Sequence, residues 1–249
     1  MKNNFGNNLP IVNLYKKNSL KSGIDTQLLY GDIFEVIKKH NGWRKIRIKE
    51  DGYVGYVKSG KFSEPIKPNF KVCVLKARLF GGPSSKKKLK KFLPYNSRVK
   101  IIGKNGKFGK FGKYWIKSSD LKKINFKHRN IFKDIKLFKN TRYLWGGKSY
   151  KGIDCSALLQ MFYYYNNLFY PRDTKDQIKY SKGKLKKRKY KKGDIIFWKG
   201  HVAVCLNSKE LIHAYGPEKK VLIMPIIKTI NRIRETAKLE IKKVVKIKY

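Results

Sequence analysis

Acidic residues are scarce in this chain. Its 249 residues include 16 Asp and Glu against 61 Lys and Arg, a formal net charge of +45. Cysteine is scarcer still. Cys73, Cys155 and Cys205 are the three present, too few and too scattered for a disulfide framework, and their small number points to a reducing, cytoplasmic setting. No apolar run approaches the ~18 residues that span a bilayer, so no membrane partner is expected. The opening stretch, MKNNFGNNLPIVNLYKKNSL, contains no apolar core of the kind a secretory leader needs.

Arginine is also in short supply, at ten against 51 lysines, and alanine occurs five times. Proteins that read nucleic-acid sequence lean on the planar guanidinium fork, which pairs two base-edge acceptors at once. An excess made almost wholly of lysine, spread along the chain beside plentiful Asn, Ile, Tyr and Phe, fits an A- and T-rich coding bias instead. No nucleic-acid partner is expected. Two dense runs stand out, Lys86–Lys91 (KKKLKK) and Lys182–Lys192 (KGKLKKRKYKK). Each reads first as a solvated face; the sharper reading is a collar that steers an anionic ligand. Core material is abundant, at 41% hydrophobic and 14% aromatic residues, which excludes a disordered basic tail.

The first half of the chain reads as short strands. Gln27–Val36 runs through a Gly-Asp turn, Gly42–Ile48 alternates Trp43, Lys45 and Arg47 with Arg44, Ile46 and Ile48, and Asp51–Val57 opens on an Asp-Gly hairpin signal. A small β-barrel over residues 1–62 follows, with Trp43, Tyr53 and Tyr56 expected in its core rather than on a ligand platform. Residues 63–69, with Pro65 and Pro68, form a linker. The pattern then repeats in degenerate form over 70–122, with strands at Lys71–Leu79, Ser97–Gly103 and Lys113–Lys117 around a glycine-rich tip, Lys104–Gly112. Residues 126–249 form the third domain. There Leu158, Leu159 and Phe162 mark a helix that starts near Asp154–Ser156. Strands follow at Asp194–Trp198, His201–Leu206, Leu211–His213, Val221–Met224 and Glu240–Ile247. One helix on an antiparallel sheet is an α+β layout.

Cys155 stands at the start of that helix, where unpaired amides and the helix dipole favour a thiolate. Along His201–Leu206 a period of two puts His201, Ala203 and Cys205 on one face. The turn Asn207–Glu210 brings His213 onto the neighbouring strand. Cysteine, histidine and a second polar group that orients the histidine make the nucleophile–base–orienter set of a thiol hydrolase. Cys73 and Cys205 read as buried structural thiols. Metal binding by Cys155, His201 and His213 is disfavoured, because no close CxxC or HxxxH spacing is present. No metal or cofactor is expected.

Tyr143-Leu144-Trp145-Gly146-Gly147, followed by Gly152-Ile153-Asp154-Cys155-Ser156, resembles the catalytic block of the NlpC/P60 family of papain-like cysteine peptidases. Gly193-Asp194, Phe197-Trp198, His201-Val202 and Ile212-His213-Ala214 are similar to its histidine block. Pro171-Arg172-Asp173-Thr174 with Gln177 resembles a segment of the dipeptidyl-peptidase VI type, whose members carry bacterial SH3 domains upstream, in keeping with the two β units. The resemblance implies a papain-like domain, a helix with the cysteine on an antiparallel sheet, preceded by two SH3-like β-barrels. It implies cleavage of the γ-D-glutamyl–diamino acid bond of short murein peptides with a free N-terminal L-Ala, anionic substrates met in cell-wall recycling. By position, Cys155 is the nucleophile, His201 the general base and His213 the orienting residue. Tyr143 would lie beside Cys155, Asp154 and Ser156 would line the glutamate subsite, Trp145 would wall it, and Asp173 and Thr174 would receive the free amine. Thr174 stands where relatives usually have Ser, and Ala157 where Gly is common. Glu50, Asp51, Tyr53 and Tyr56 are candidates for an SH3 residue that narrows the cleft. Two alternatives are a secreted endopeptidase acting on intact wall and a non-enzymatic module that binds wall or nucleic acid.

Overall fold

The computed structural model describes residues 4–60, 62–182 and 189–246. The chain divides into two compact units, residues 1–126 with 148–150 and residues 127–147 with 151–249.

In the first unit six antiparallel strands form one sheet in the order β1-β4-β5-β6-β2-β3. They are β1 (Asn4–Gly6), β2 (Ile11–Tyr15), β3 (Ile24–Leu29), β4 (Ile33–His40), β5 (Trp43–Ile48) and β6 (Val54–Lys58). Alternation sends Leu14, Leu28, Phe34, Val36, Ile46, Ile48 and Val57 to one face, where they make a core. The Gly-Asp turn needs its glycine: Gly31 has φ +87°, and a Cβ there would collide with the Arg98 carbonyl. The same alternation corrects the expectation for Trp43 and Tyr56. Both point away from the core and line a hollow of about 160 Å³ with Asn18, Lys38, His40 and Lys45. Tyr53 does pack against the core.

The same unit continues with β7 (Phe70–Val72), β8 (Lys76–Phe80), β9 (Lys88–Pro94), β10 (Arg98–Val99), β11 (Gly103–Asn105), β12 (Phe108–Phe111), β13 (Tyr114–Lys117) and β14 (Leu121–Lys123). They form a three-stranded sheet, β10-β7-β14, and a five-stranded one, β11-β12-β13-β8-β9. Val72, Leu79, Leu93, Val99, Phe111 and Ile116 are buried in their shared core. Two expectations change here. The glycine-rich tip is the hairpin β11–β12, pinned by buried Phe108 and Phe111. Ser97–Gly103 is not one strand but two short ones on different sheets. The Lys86–Lys91 run is a solvated face as expected: its lysines are exposed, and it leads along β9 into buried Leu93 and Pro94. A further strand, β15 (Lys148–Ser149), also belongs to this unit.

The second unit contains β16 (Gly152–Ile153), α1 (Cys155–Tyr165), α2 (Thr174–Tyr180), β17 (Ile195–Trp198), β18 (His201–Cys205), β19 (Glu210–Tyr215), β20 (Lys220–Pro225), α3 (Ile226–Ala237) and β21 (Lys243–Val245). The sheet order is β20-β19-β18-β17-β21, antiparallel throughout. One face, with Ile196, Trp198, Ala203, Cys205, Leu211 and Tyr215, packs on Ile226, Ile230 and Ile233 of α3. The other carries Ile195, Phe197, Val202, Val204, Ile212 and Ala214, all fully buried, and α1 packs against β18 and β19. The layout is α+β, with three α-helices among the described residues where the sequence pattern predicts one. The spacing of Ile226, Ile230 and Ile233 is helical, but the polar residues between them mask it. Cys205 is a buried core thiol, and Cys73 Sγ lies 3.6 Å from Ser119 O. The expected strand Glu240–Ile247 shortens to β21, with residue 247 outside the described residues, as are residues 183–188 of the second lysine run.

Candidate active site

The segment before α1 is tightly constrained. A Cβ on Gly147 would strike the Gly152 carbonyl, so the Gly-Gly pair lets the chain fold back close to β16. Asp154 then caps the helix: its Oδ1 accepts from Ala157 N at 2.8 Å, and its carbonyl from Leu158 N at 3.0 Å. The amides of Cys155 and Ser156 open the helix ahead of these bonds, where no intrahelical carbonyl can reach them.

Asp154 is engaged on every side. Oδ1 also accepts from Ser156 Oγ at 3.1 Å and from Arg172 Nη1 at 3.0 Å; Oδ2 accepts from Gly146 N at 2.9 Å and from Arg172 Nη2 at 2.6 Å. Arg172 Nη1 also donates to Ser156 Oγ at 2.9 Å. These bonds revise two expectations. Asp154 and Ser156, read as lining a substrate pocket, spend their polar atoms on their own chain and hold the cysteine's turn. Arg172 is the functional side chain that residue-by-residue reasoning missed. Its signal was its type: an arginine in a chain that otherwise uses lysine marks a place where a bidentate fork is required. Gln177 ties α2 to the same turn, donating to Ser156 O and Pro171 O, each at 2.9 Å.

Two histidines stand close by on the sheet. The pairing of β18 with β19, Val204 opposite Ile212, makes His201 and His213 diagonal neighbours. His201 Nε2 lies 2.9 Å from His213 Nδ1. The buried His213 ring stacks on Tyr215 at 4.7 Å and 14°. Cys155 Sγ lies 3.9 Å from Gly200 O, and the Val202 backbone amide also bonds to it. The thiol thus sits against the backbone on both sides of His201. With Nε2 of His201 turned to His213, Nδ1 is the ring nitrogen outside that pair.

Burial governs the protonation of this set. It pushes the Cys155 thiol up to about 12, and the neighbouring Asp154 carboxylate adds to that; the Val202 amide, Thr174 and Arg172 pull the other way. The expected resting thiolate is therefore opposed, because desolvation outweighs the helix terminus. Burial lowers His201 to about 4, and burial, His201 and Arg232 lower His213 to about 2. Burial thus favours a neutral thiol beside neutral imidazoles.

The remaining predicted residues divide. Thr174 is buried with Oγ1 4.0 Å from Cys155 Sγ. Tyr143 has its phenol held above the usual range by burial, then by Cys155 and Asp154, so it stays a proton donor beside the sulfur. Asp173 opens α2 without capping it through its side chain, and burial raises its carboxyl. Trp145 is 69% exposed and is not packed as a wall. Among the described residues, no three His, Cys, Asp or Glu side chains group as a metal site.

Residues 140–236 match the NlpC/P60 family, and residues 14–61 match the bacterial dipeptidyl-peptidase SH3 domain. The chain carries an NlpC/P60 cysteine-peptidase domain and a bacterial dipeptidyl-peptidase SH3 domain. A γ-D-glutamyl-L-lysine dipeptidyl-peptidase of Bacillus cereus is 26% identical over 240 residues, covering 82% of this chain and 71% of that protein. The Bacillus subtilis protein of the same name is 26% identical over 232 residues, 83% of this chain and 77% of that one. Dipeptidyl-peptidase 6 of Lysinibacillus sphaericus is 39% identical over 74 residues, 30% of this chain and 27% of its own length. Among solved structures, an NlpC/P60 family protein from Bacillus cereus superposes with a TM-score of 0.81 at 20% identity, covering 98% of this chain and 99% of that one, and shares the fold. No helix among the described residues is long and apolar enough to cross a membrane.

Chemically, the NlpC/P60 site offers a thiol, a neutral imidazole to take its proton, a second imidazole to hold the first, and donors for an oxyanion in the helix-start amides and the Tyr143 phenol. That inventory suits acyl transfer to sulfur followed by hydrolysis.

Proposed function

We propose that this peptidase cleaves the bond between a γ-D-glutamyl residue and a diamino acid in short cell-wall peptides with a free N-terminus. The observation that carries this reading is the cysteine at the head of α1, set against the strand that bears His201 and its partner His213. The two full-length relatives named as γ-D-glutamyl-L-lysine dipeptidyl-peptidases support the substrate class.

In this reading the Cys155 proton passes to His201 Nδ1 as the sulfur attacks the γ-carbonyl. The carbonyl π pair moves onto oxygen, where the Cys155 amide and the Tyr143 phenol receive it. The tetrahedral adduct collapses with cleavage of the C–N bond, and the leaving amine takes the proton back from His201. Water, deprotonated by the same imidazole, then releases the acyl group from sulfur. Asp173 receives the substrate's free amine, and Thr174 holds the thiol's orientation. Because charge is created on sulfur and imidazole together, each offsets part of the other's desolvation, and no resting ion pair is required. Absence of a disulfide among the three cysteines suits a reducing compartment and recycling of released peptides.

The test is direct. Incubation with L-Ala-γ-D-Glu-L-Lys, with its diaminopimelate counterpart and with intact sacculi should release the free diamino acid from one or both tripeptides and nothing from sacculi. Cys155→Ala should abolish release. Cleavage of sacculi but not of tripeptides would favour a wall endopeptidase; equal activity of the Cys155→Ala protein would remove the reading altogether.

A further inference from the structure

The two histidines form a hydrogen-bonded pair whose direction neither ring can set alone, because each neutral imidazole has one donor and one acceptor. The pair does not end at His213. His213 Nε2 lies 3.3 Å from Met224 Sδ. Met224 belongs to β20, where the register pairs it with Leu211 and pairs Leu222 with His213, so it is the diagonal neighbour of His213. The contacts therefore cross three adjacent strands in a line, from His201 on β18 to His213 on β19 to Met224 on β20.

A thioether sulfur has lone pairs and no proton, so it can only accept. We propose that Met224 is a positioning residue that fixes the tautomers of both histidines and so leaves the lone pair of His201 on Nδ1, the nitrogen to which the proposed mechanism assigns the Cys155 proton. The steps follow in order. His213 carries its proton on Nε2 and donates it to Met224 Sδ. His213 Nδ1 is then the acceptor. His201 must donate from Nε2, which leaves Nδ1 unprotonated. Reversal of the pair would aim two lone pairs, at His213 Nε2 and Met224 Sδ, at each other and would put the His201 proton on the nitrogen that has to receive the thiol's. The sulfur also closes the line to proton traffic. It neither gives nor takes a proton at working pH, so a proton taken from Cys155 stays on His201 until the leaving amine removes it.

The ring planes are set independently. Tyr215 stacks on His213, Arg232 lies 5.5 Å over the Tyr215 ring, and Arg232 is itself held by Glu218 at 2.6 Å. Packing thus fixes where the rings lie, and Met224 fixes which nitrogens carry protons.

This proposal rests on the catalytic reading above, but the decisive measurement needs no turnover. In the 15N-labelled protein at neutral pH, long-range proton–nitrogen correlations distinguish protonated from unprotonated ring nitrogens. The expected result is Nε2–H on both His201 and His213. In Met224→Leu, which keeps the bulk and removes the acceptor, a mixture of tautomers and an about tenfold lower kcat at unchanged KM are expected. Met224→Gln, whose amide oxygen can accept the same proton, should restore both. Protonation of wild-type His213 at Nδ1, or unaltered tautomers and kcat in Met224→Leu, would overturn the proposal. Should Met224→Leu fail to fold, the wild-type spectrum alone decides it. Failure of the catalytic reading would appear separately, as undiminished hydrolysis by Cys155→Ala.

Discussion

Each unit buries a cluster of carboxylates and cations, and the two clusters behave in opposite ways. In the first unit Glu50 and Asp32 share a pocket with Arg98 and Lys148. Glu50 Oε1 lies 3.7 Å from Arg98, its buried Oε2 receives no hydrogen bond, and burial together with Asp32 pushes its carboxyl up to about 7. Asp32 is raised as well, by burial first. In the second unit the equally hidden Asp154 accepts from two arginine nitrogens, two backbone amides and a hydroxyl. Burial is common to both. What differs is the number and fit of the donors: fixed hydrogen bonds replace the lost water only where they point at a carboxylate's lone pairs. The loosely paired Glu50 can change charge near neutral pH; the saturated bonds of Asp154 tie Gly146, the start of α1 and Arg172 together.

The contrast is broken most severely at its arginines. Arg172→Ala should cost about 3–5 kcal/mol in the second unit, because it strands a buried carboxylate, and should also lower activity by freeing the turn that holds Cys155. Arg98→Ala should cost about 1 kcal/mol or less, since Glu50 answers by taking a proton. Urea unfolding of both variants, followed by a probe in each unit, checks the difference; equal losses would contradict it.

A second expectation concerns pH, with opposite signs in the two units. Glu50 is raised from 4.5 to about 7, so the folded state binds the extra proton. Its stabilisation is complete below pH 4.5 and is lost as pH rises through about 7. His201 is lowered from 6.5 to about 4, so the folded state binds fewer protons, and stability is present above 6.5 and lost as pH falls toward about 4. Hydrogen exchange read separately in each unit should show the first loosening from pH 5 to 7 and the second tightening over the same range. Glu50→Gln should flatten the first trend and leave the second.

The smallest effect sought is on catalysis. A resting neutral pair predicts an acid limb of kcat/KM near pH 4, where His201 gains its proton. A limb near 6.5 would mean that the imidazole is hydrated in the working enzyme.

Much of this was legible in the chain. The Asp-Gly and Gly-Asp turns, the period-two strands and the helix opening at Asp154 are local signals, and local signals survive without a partner. The helix α3 and the hairpin β11–β12 were not legible, since largely polar and glycine-rich stretches become regular only when Ile226, Ile230, Phe108 and Phe111 find a core to enter. Trp43 and Tyr56 went the other way. Large aromatic rings read as core, yet the strand's alternation outranks the residue type and turns them outward.

Residue order alone determined the α+β layout, the cysteine at a capped helix start and the two histidines on strands joined by one short turn. Each of these depends on backbone periodicity and on spacing along the chain. Tertiary structure decided the rest: that Asp154 and Ser156 serve Arg172, that burial works against a resting thiolate, and that a methionine lies at the end of the histidine pair. Those outcomes depend on which groups desolvate one another and which lone pairs meet which protons, and such neighbours come together only when distant strands are laid side by side.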